Sequence, residues 1–325
     1  MTTREIEEGI YVNDTITETT KDIDSVIFDC DGVLIDVSNS YDVTIQRTTE
    51  YILKEIASLE KFDPVTSKMI DGFKATGGFN DEVDLTYAAI LSLVAADLLK
   101  KRGNEFVFEV IENADKSGII SVEKFLESLN VDISEIKKTL NYPGRHSENI
   151  LYSTFDQMFY GPELYHKLFK KKSNFTDEGL IDNDIVLVKQ DMLEILIKKF
   201  GNKIAIVTGR GKDSISYSMK ELLEQFDLKN SVFLEDESRE LAKPNPSSLI
   251  RSIKGMNSSH CLYVGDSMED FIMAEEATMK GHKTTFCGIF GSSKFPEQKI
   301  KLFEENNATL FLKSINLLPK ALNLV

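Results

Sequence analysis

Two carboxylates spaced i and i+2, Asp29 and Asp31, stand at the end of the apolar run Val26-Ile27-Phe28. Alternate residues of an extended backbone point the same way, so both can address one substrate. One carboxylate can attack while its neighbour handles protons. Gly32 permits the sharp turn of a chain leaving a sheet. Taken alone, the string is an acidic turn closing a strand. Three further segments give it company.

The run Lys203 to Val207 is a second apolar strand, ending in Thr208-Gly209-Arg210. Such an end can offer a hydroxyl and free backbone N–H groups to a phosphoryl oxygen. Lys243-Pro244-Asn245-Pro246 sets a lysine before the helix-like run Ser247 to Ile253, with Pro246 suited to the first helical turn. Cys261 to Val264 is a third strand, followed by Gly265-Asp266-Ser267-Met268-Glu269-Asp270.

The order DxDGV, T, K, GDxxxD resembles the haloacid dehalogenase superfamily of phosphohydrolases, and it spans Asp29 to Asp270. The resemblance implies that Asp29 is the nucleophile of an aspartyl-phosphate mechanism and Asp31 the general acid and base. Asp31 also selects chemistry within the superfamily, because dehalogenating and phosphonate-cleaving relatives lack an acid there. Thr208 and the Gly209 N–H would cradle the phosphoryl oxygens, and Lys243 would neutralise charge beside the nucleophile. A carboxylate attacking a phosphate dianion needs a hard divalent cation, and Mg2+ suits an all-oxygen site. Its expected ligands are the carboxylates of Asp29 and Asp266 and the backbone carbonyl of Asp31. Asp270 would hold a metal-bound water or buttress the site, with Glu269 its competitor.

The elements that must position these residues follow from pattern. Strand-like runs fall at Ser25 to Asp29, Lys203 to Val207, Ser231 to Glu235, His260 to Val264, Lys283 to Ile289 and Thr309 to Leu312. Helical runs such as Ser214 to Phe226 and Asp270 to Met279 lie between them. This alternation predicts an α/β, Rossmann-like three-layer core around a parallel sheet, with ligands beyond the carboxyl ends of the strands. From Asp31 to Thr208 is 177 residues, far more than a crossover requires. That interval has helical patterns at Tyr41 to Leu59, Leu85 to Lys101, Phe106 to Glu112, Val122 to Leu129 and Asp184 to Phe200. It predicts an inserted all-helical cap domain over 37–200. The catalytic core is then 25–36 and 201–325, and 1–24 is a polar N-terminal extension.

Substrate choice is expected to come from the cap. The loop Phe73 to Asp81, with Gly77-Gly78, is either a helix–helix turn or a specificity loop in which Lys74 or Asn80 contacts the leaving group. A small group of these hydrolases carries a similar GGFN…DLT string after a DVSNSY-like lead-in. Arg210, Arg47, Arg145 and His146 are weaker candidates for substrate contact. Asn113 to Lys124 imitates an EF-hand calcium loop, with Gly118 at position six. Position one is asparagine and position twelve is lysine, which cannot replace the closing carboxylate. An ordinary helix–loop–helix corner is expected there.

A net charge of −15 argues against nucleic acid and anionic membranes as partners. The content is 42% apolar and 28% charged, as in ordinary globular proteins. The longest apolar stretch, Tyr87 to Leu99, is interrupted by Ser92 and Asp97 and is too short to span a bilayer. Three cysteines (Cys30, Cys261, Cys287) and an N-terminus without a signal-peptide core fit a cytoplasmic protein with reduced thiols. Cys30 is expected to serve packing. The expected function is Mg2+-dependent hydrolysis of a small phosphorylated metabolite. A phosphomutase of the β-phosphoglucomutase type and a non-catalytic regulatory protein on the same fold remain as alternatives.

Overall fold

The computed structural model describes residues 3–13, 20–79, 81–144 and 149–325. The expected extension enters the sheet: β1 (Thr3–Glu7) and β2 (Ile10–Asn13) form an antiparallel pair turning at Gly9, whose φ is +77°. Ile10 and Val12 are buried on one face of β2, which pairs with the last strand. The strand pattern is there in the sequence, but it is short and flanked by charge.

The other strands are β3 (Ser25–Phe28), β4 (Ile35–Asp36), β5 (Ile185–Val186), β6 (Ile204–Thr208), β7 (Val232–Phe233), β8 (Cys261–Gly265), β9 (Thr284–Ile289) and β10 (Leu310–Leu312). The main sheet runs β1-β2-β10-β9-β8-β3-β6-β7 and is parallel from β10 to β7. Its central strands are apolar throughout because helices cover both faces. Ile27, Ala205, Val207, Tyr263 and Met273 belong to one buried core. All three cysteines are buried thiols outside any disulfide.

The chain divides into two compact units, 1–37 with 185–325, and 38–184. The second unit is the insert. Its helices are α1 (Tyr41–Tyr51, continued as a π-helical turn to Ile56), α2 (Ser67–Ala75), α3 (Glu82–Leu99), α4 (Gly103–Asn113), α5 (Ile119–Ser128), α6 (Ser134–Leu140) and α7 (Ile150–Phe169). Helix α3 is the axis of the insert, buried almost all round from Val83 to Ala96. Asp81 caps its first turn, accepting from the Val83 N–H at 2.8 Å. Tyr41 of α1 stacks on Phe159 of α7 at 4.2 Å. Gly161, at φ +68°, breaks α7 into two helical pieces ahead of Pro162. The Ser40 hydroxyl donates to Asp184 at 2.5 Å, tying the two ends of the insert together.

The core helices are α8 (Gln190–Phe200), α9 (Lys212–Met219), α10 (Ser247–Gly255), α11 (Met268–Met279), α12 (Pro296–Glu305) and α13 (Leu318–Ala321). The insert therefore ends sixteen residues before the expected boundary at 200: α8 lies in the first unit. It buries Met192, Leu193, Leu196 and Phe200 and packs against β6 and α13. Periodicity identifies an amphipathic helix but not the core that receives its apolar face. The junction is a two-stranded ladder, with Ile35 opposite Val186 and Asp36 opposite Ile185. Among the described residues no helix is long and apolar enough to cross a membrane.

Candidate active site

The site is built at the carboxyl ends of β3, β6 and β8. In the parallel ladders Phe28 lies opposite Val264 and Ile206, and the Asp29 N–H donates to the Val264 carbonyl at 2.8 Å. That bond carries the ladder one residue past β3 and fixes the direction of the Asp29 side chain. Asp29 is only 4% exposed. The chain then turns tightly, with the Leu34 and Ile35 N–H groups both donating to the Cys30 carbonyl. Gly32 has φ +75°, and a Cβ on it would lie 2.5 Å from Asp266 Oδ2. Only glycine lets the first and last acidic segments approach so closely.

On the β8 side, Gly265 leaves room for Asp270, which a Cβ there would strike. Ser267 caps α11 through its hydroxyl, which accepts from the Asp270 N–H at 3.2 Å. Asp270 Oδ2 in return accepts from the Asp266 N–H, the Ser267 N–H and the Ser267 hydroxyl at 3.1, 3.1 and 2.8 Å. Its Oδ1 accepts from Lys243 Nζ at 2.6 Å and from the Tyr263 hydroxyl at 2.8 Å. Both Asp270 oxygens thus accept from protein donors. Glu269 is buried elsewhere on α11.

Lys243 has no exposed side-chain surface and sits between two carboxylates, 2.8 Å from Asp29 Oδ1 and 2.6 Å from Asp270 Oδ1. The contact to Asp29 lacks hydrogen-bond alignment, so buried Asp29 Oδ1 accepts no hydrogen bond. Burial pushes Asp29 up to about 8, with Asp270, Asp31 and Asp266 adding to the rise and Lys243 opposing it. Asp270 is also buried, but Lys243 and its hydrogen bonds hold it below the ordinary carboxylate value. Lys243 itself stays charged: burial disfavours its ammonium, yet Asp270 and Asp29 outweigh that. Burial likewise keeps Tyr263 protonated as a donor.

Asp31 retains some side-chain exposure (18%) and pairs with Arg210 Nη1 at 3.1 Å. Arg210, one of the weaker candidates for substrate contact, has a fully buried side chain committed to protein partners, as a structural residue would. Thr208, at the end of β6, is buried, and its hydroxyl accepts from the Arg210 N–H at 3.4 Å. Gly209 follows it, partly exposed, with its carbonyl accepting from the Glu235 N–H.

Three contributors have no signal in the motifs. Tyr263 reads as one more apolar strand residue. Lys299 on α12 pairs with Asp266 Oδ2 at 2.6 Å, and Ser292 donates to the Gly32 carbonyl at 2.6 Å. Helix α12 is seated by Phe303, packed on Phe286 and Phe311. Lys299 lies one helical turn before that anchor, on the same face. The i,i+4 spacing from a buried aromatic was the one clue available.

Asp29, Asp266 and Asp270 each present a carboxylate oxygen, all within 4.8 Å of one another. The unaligned buried oxygen of Asp29 and the all-oxygen donor set fit a hard divalent cation.

In the insert, Lys74 pairs with Glu82 at 3.2 Å across the α2–α3 turn. Asn80, Arg145 and His146 lie outside the described residues, and Arg47 is an exposed residue of α1. The double-glycine loop and the calcium-loop imitation prove to be partners. A Cβ on Gly78 would lie 2.5 Å from the Asp115 carbonyl and 2.6 Å from the Gly118 nitrogen. Asp115 Oδ1 accepts from the Ser117 N–H at 2.8 Å and from its hydroxyl at 2.5 Å, closing the turn between α4 and α5.

Comparison with known proteins agrees with this architecture. A sequence model of the haloacid dehalogenase-like hydrolases matches residues 23–278, and the chain belongs to that family. Among solved structures it is similar to phosphatase Tt82 from Thermococcus thioreducens. The identity is 24%, over 85% of this chain and 98% of that one, with a TM-score of 0.55. It also matches a hydrolase from Pseudomonas syringae at 15% identity, over 90% and 95% of the two chains, with a TM-score of 0.46. A β-phosphoglucomutase from Clostridium difficile matches at 13% identity, over 93% and 97%, with a TM-score of 0.43. No match is found among curated proteins. The likeness to the phosphatase establishes the fold: a mostly parallel sheet in a Rossmann-like core with a helical insert between the first two motifs.

Proposed function

We propose that this hydrolase is a Mg2+-dependent phosphatase that cleaves small phosphate monoesters through a phosphorylated Asp29. The observation that carries the reading is the largely buried array of opposed charges. Four carboxylates (Asp29, Asp31, Asp266, Asp270) face Lys243, Lys299 and Arg210. Once Asp29 is ionised, as attack requires, the described cations fall short of the carboxylates even before a phosphate dianion enters. Asp29, Asp266 and, through its backbone carbonyl, Asp31 would hold Mg2+, with Asp270 bracing them. The bound cation supplies charge neutralisation and a site for a phosphoryl oxygen.

The protein's own groups divide the remaining work. An Asp29 carboxylate oxygen attacks phosphorus in line with the ester oxygen, while Lys243 screens the repulsion between them. Thr208 and the Gly209 N–H hold phosphoryl oxygens. Asp31 gives its proton to the departing alkoxide. It then takes one from the water that attacks phosphorus and releases phosphate and free Asp29.

The test is a screen of the purified protein against phosphorylated metabolites with Mg2+, reading both inorganic phosphate and isomeric products. Phosphate release that stops in Asp29→Asn is expected. Interconversion of sugar phosphates without phosphate release would replace hydrolysis by phosphoryl transfer between hydroxyls. Inertness towards every phosphate ester, including aryl phosphates, would remove catalysis from the reading.

A further inference from the structure

A guanidinium is costly to bury, and the burial of Arg210 needs a reason. Each edge of its planar fork is used. Nε donates to the Ser214 hydroxyl at 2.7 Å, Nη2 to the Ser218 hydroxyl at 3.0 Å, and Nη1 to Asp31 Oδ1 at 3.1 Å. The two serines lie one turn apart on α9, so they present one face to the guanidinium. The start of α9 is fixed in turn. The Gly211 N–H donates to Glu235 at 2.8 Å and the Lys212 N–H to Asp236 at 3.0 Å. A chain of contacts therefore runs from the end of β7, through α9, to a carboxylate on the tight turn after β3.

We infer that Arg210 is a positioning residue that aims Asp31 at the leaving-group oxygen, with Ser214 and Ser218 holding the guanidinium in plane. The inference rests on Asp31 being the general acid. It concerns aim: a partly exposed carboxylate on a tight turn has alternative rotamers, and a donor held in place selects among them. Proton transfer in the transition state needs heavy atoms within hydrogen-bond reach, and misplacement by an ångström can cost ~10²-fold. Lysine cannot substitute, because a single ammonium lacks the fork that ties two serines and a carboxylate together.

The test compares the full-length protein with Mg2+ on phenyl phosphate and 4-nitrophenyl phosphate, whose leaving groups differ in their need for a proton. In Arg210→Lys, kcat for phenyl phosphate should fall roughly 10- to 100-fold. For 4-nitrophenyl phosphate it should fall by no more than about threefold, and KM should hold for both, since phosphate binding is untouched. Ser218→Ala, at a half-buried position, should shift the ratio the same way by less, and it decides the question if Arg210→Lys does not fold. Asp31→Asn is the reference and should steepen leaving-group dependence most. Equal losses on both esters in Arg210→Lys, or an unchanged ratio in a folded Arg210→Lys or in Ser218→Ala as sole folded variant, overturn the inference while Asp31→Asn keeps its steep dependence. A flat response in Asp31→Asn itself overturns the assignment of Asp31 as the acid, and the aiming role with it.

Discussion

Replacing Asp29 by asparagine should abolish turnover and, in metal-free protein, raise stability. The side chain is buried and its carboxyl is pushed from 3.8 up to about 8, first by loss of water and then by Asp270, Asp31 and Asp266. The sign follows from proton counting. Between pH 4 and 8 the unfolded chain has Asp29 ionised while the native protein keeps its proton, so stability falls as pH rises. The contribution is fully present below 3.8, is lost up to about 8, and is constant beyond that. Each unit is worth about 1.4 kcal/mol, so by pH 7 the native state has lost about 4 kcal/mol at this one residue. Asparagine is uncharged in both states and resembles the protonated wild-type site, in which Lys243 still has Asp270 at 2.6 Å. Urea unfolding of both proteins in chelator at pH 5, 6 and 7 isolates the effect, because the other titrating groups are shared. The gap in favour of Asp29→Asn should widen by about 1.4 kcal/mol per unit. Parallel curves would show that the Asp29 carboxylate is not held protonated and would refute the reasoning.

The same proton should leave when a cation binds. Mg2+ titration calorimetry at pH 7 in buffers of different ionisation enthalpy should report release approaching one proton per cation, declining above pH 8, and buffer-independent heats would contradict it. Asp31→Asn should lower kcat by ~10²–10⁴ on esters with poor leaving groups and far less on 4-nitrophenyl phosphate; equal losses across both count against an acid role. Calcium should not bind the Asn113–Lys124 loop, since Asp115 is already engaged by Ser117, and micromolar affinity that disappears in Asp115→Ala would contradict this. Lys74→Ala should impair the physiological ester more than an aryl phosphate if the insert reads the leaving group; equal effects on both would mark the Lys74–Glu82 pair as structural.

What could be read from the chain and what could not have physical causes. Residues that end strands carry their own signature: an apolar run, then an acid or hydroxyl and a glycine. Asp29, Thr208 and Asp266 were legible because local pattern fixes strand ends and parallel order brings the ends together. Lys243 was legible only through the family order, since a lysine before a proline resembles any solvated loop; its burial depends on Asp29 and Asp270, which are remote in sequence. Lys299, Ser292 and Tyr263 escaped because their contacts depend on which surface a helix, loop or strand meets. The edge strands β1 and β2 escaped for a related reason: four alternating residues become a strand only when β10 offers an edge to pair with. Arg210 is the instructive case. A charged residue just after Thr208-Gly209 can be a ligand of the substrate or a structural residue, and the sequence left both open. The serines at 214 and 218, one turn apart and four and eight residues further on, favour the second. They give the guanidinium acceptors on the helix that follows it, while Nη1 reaches Asp31.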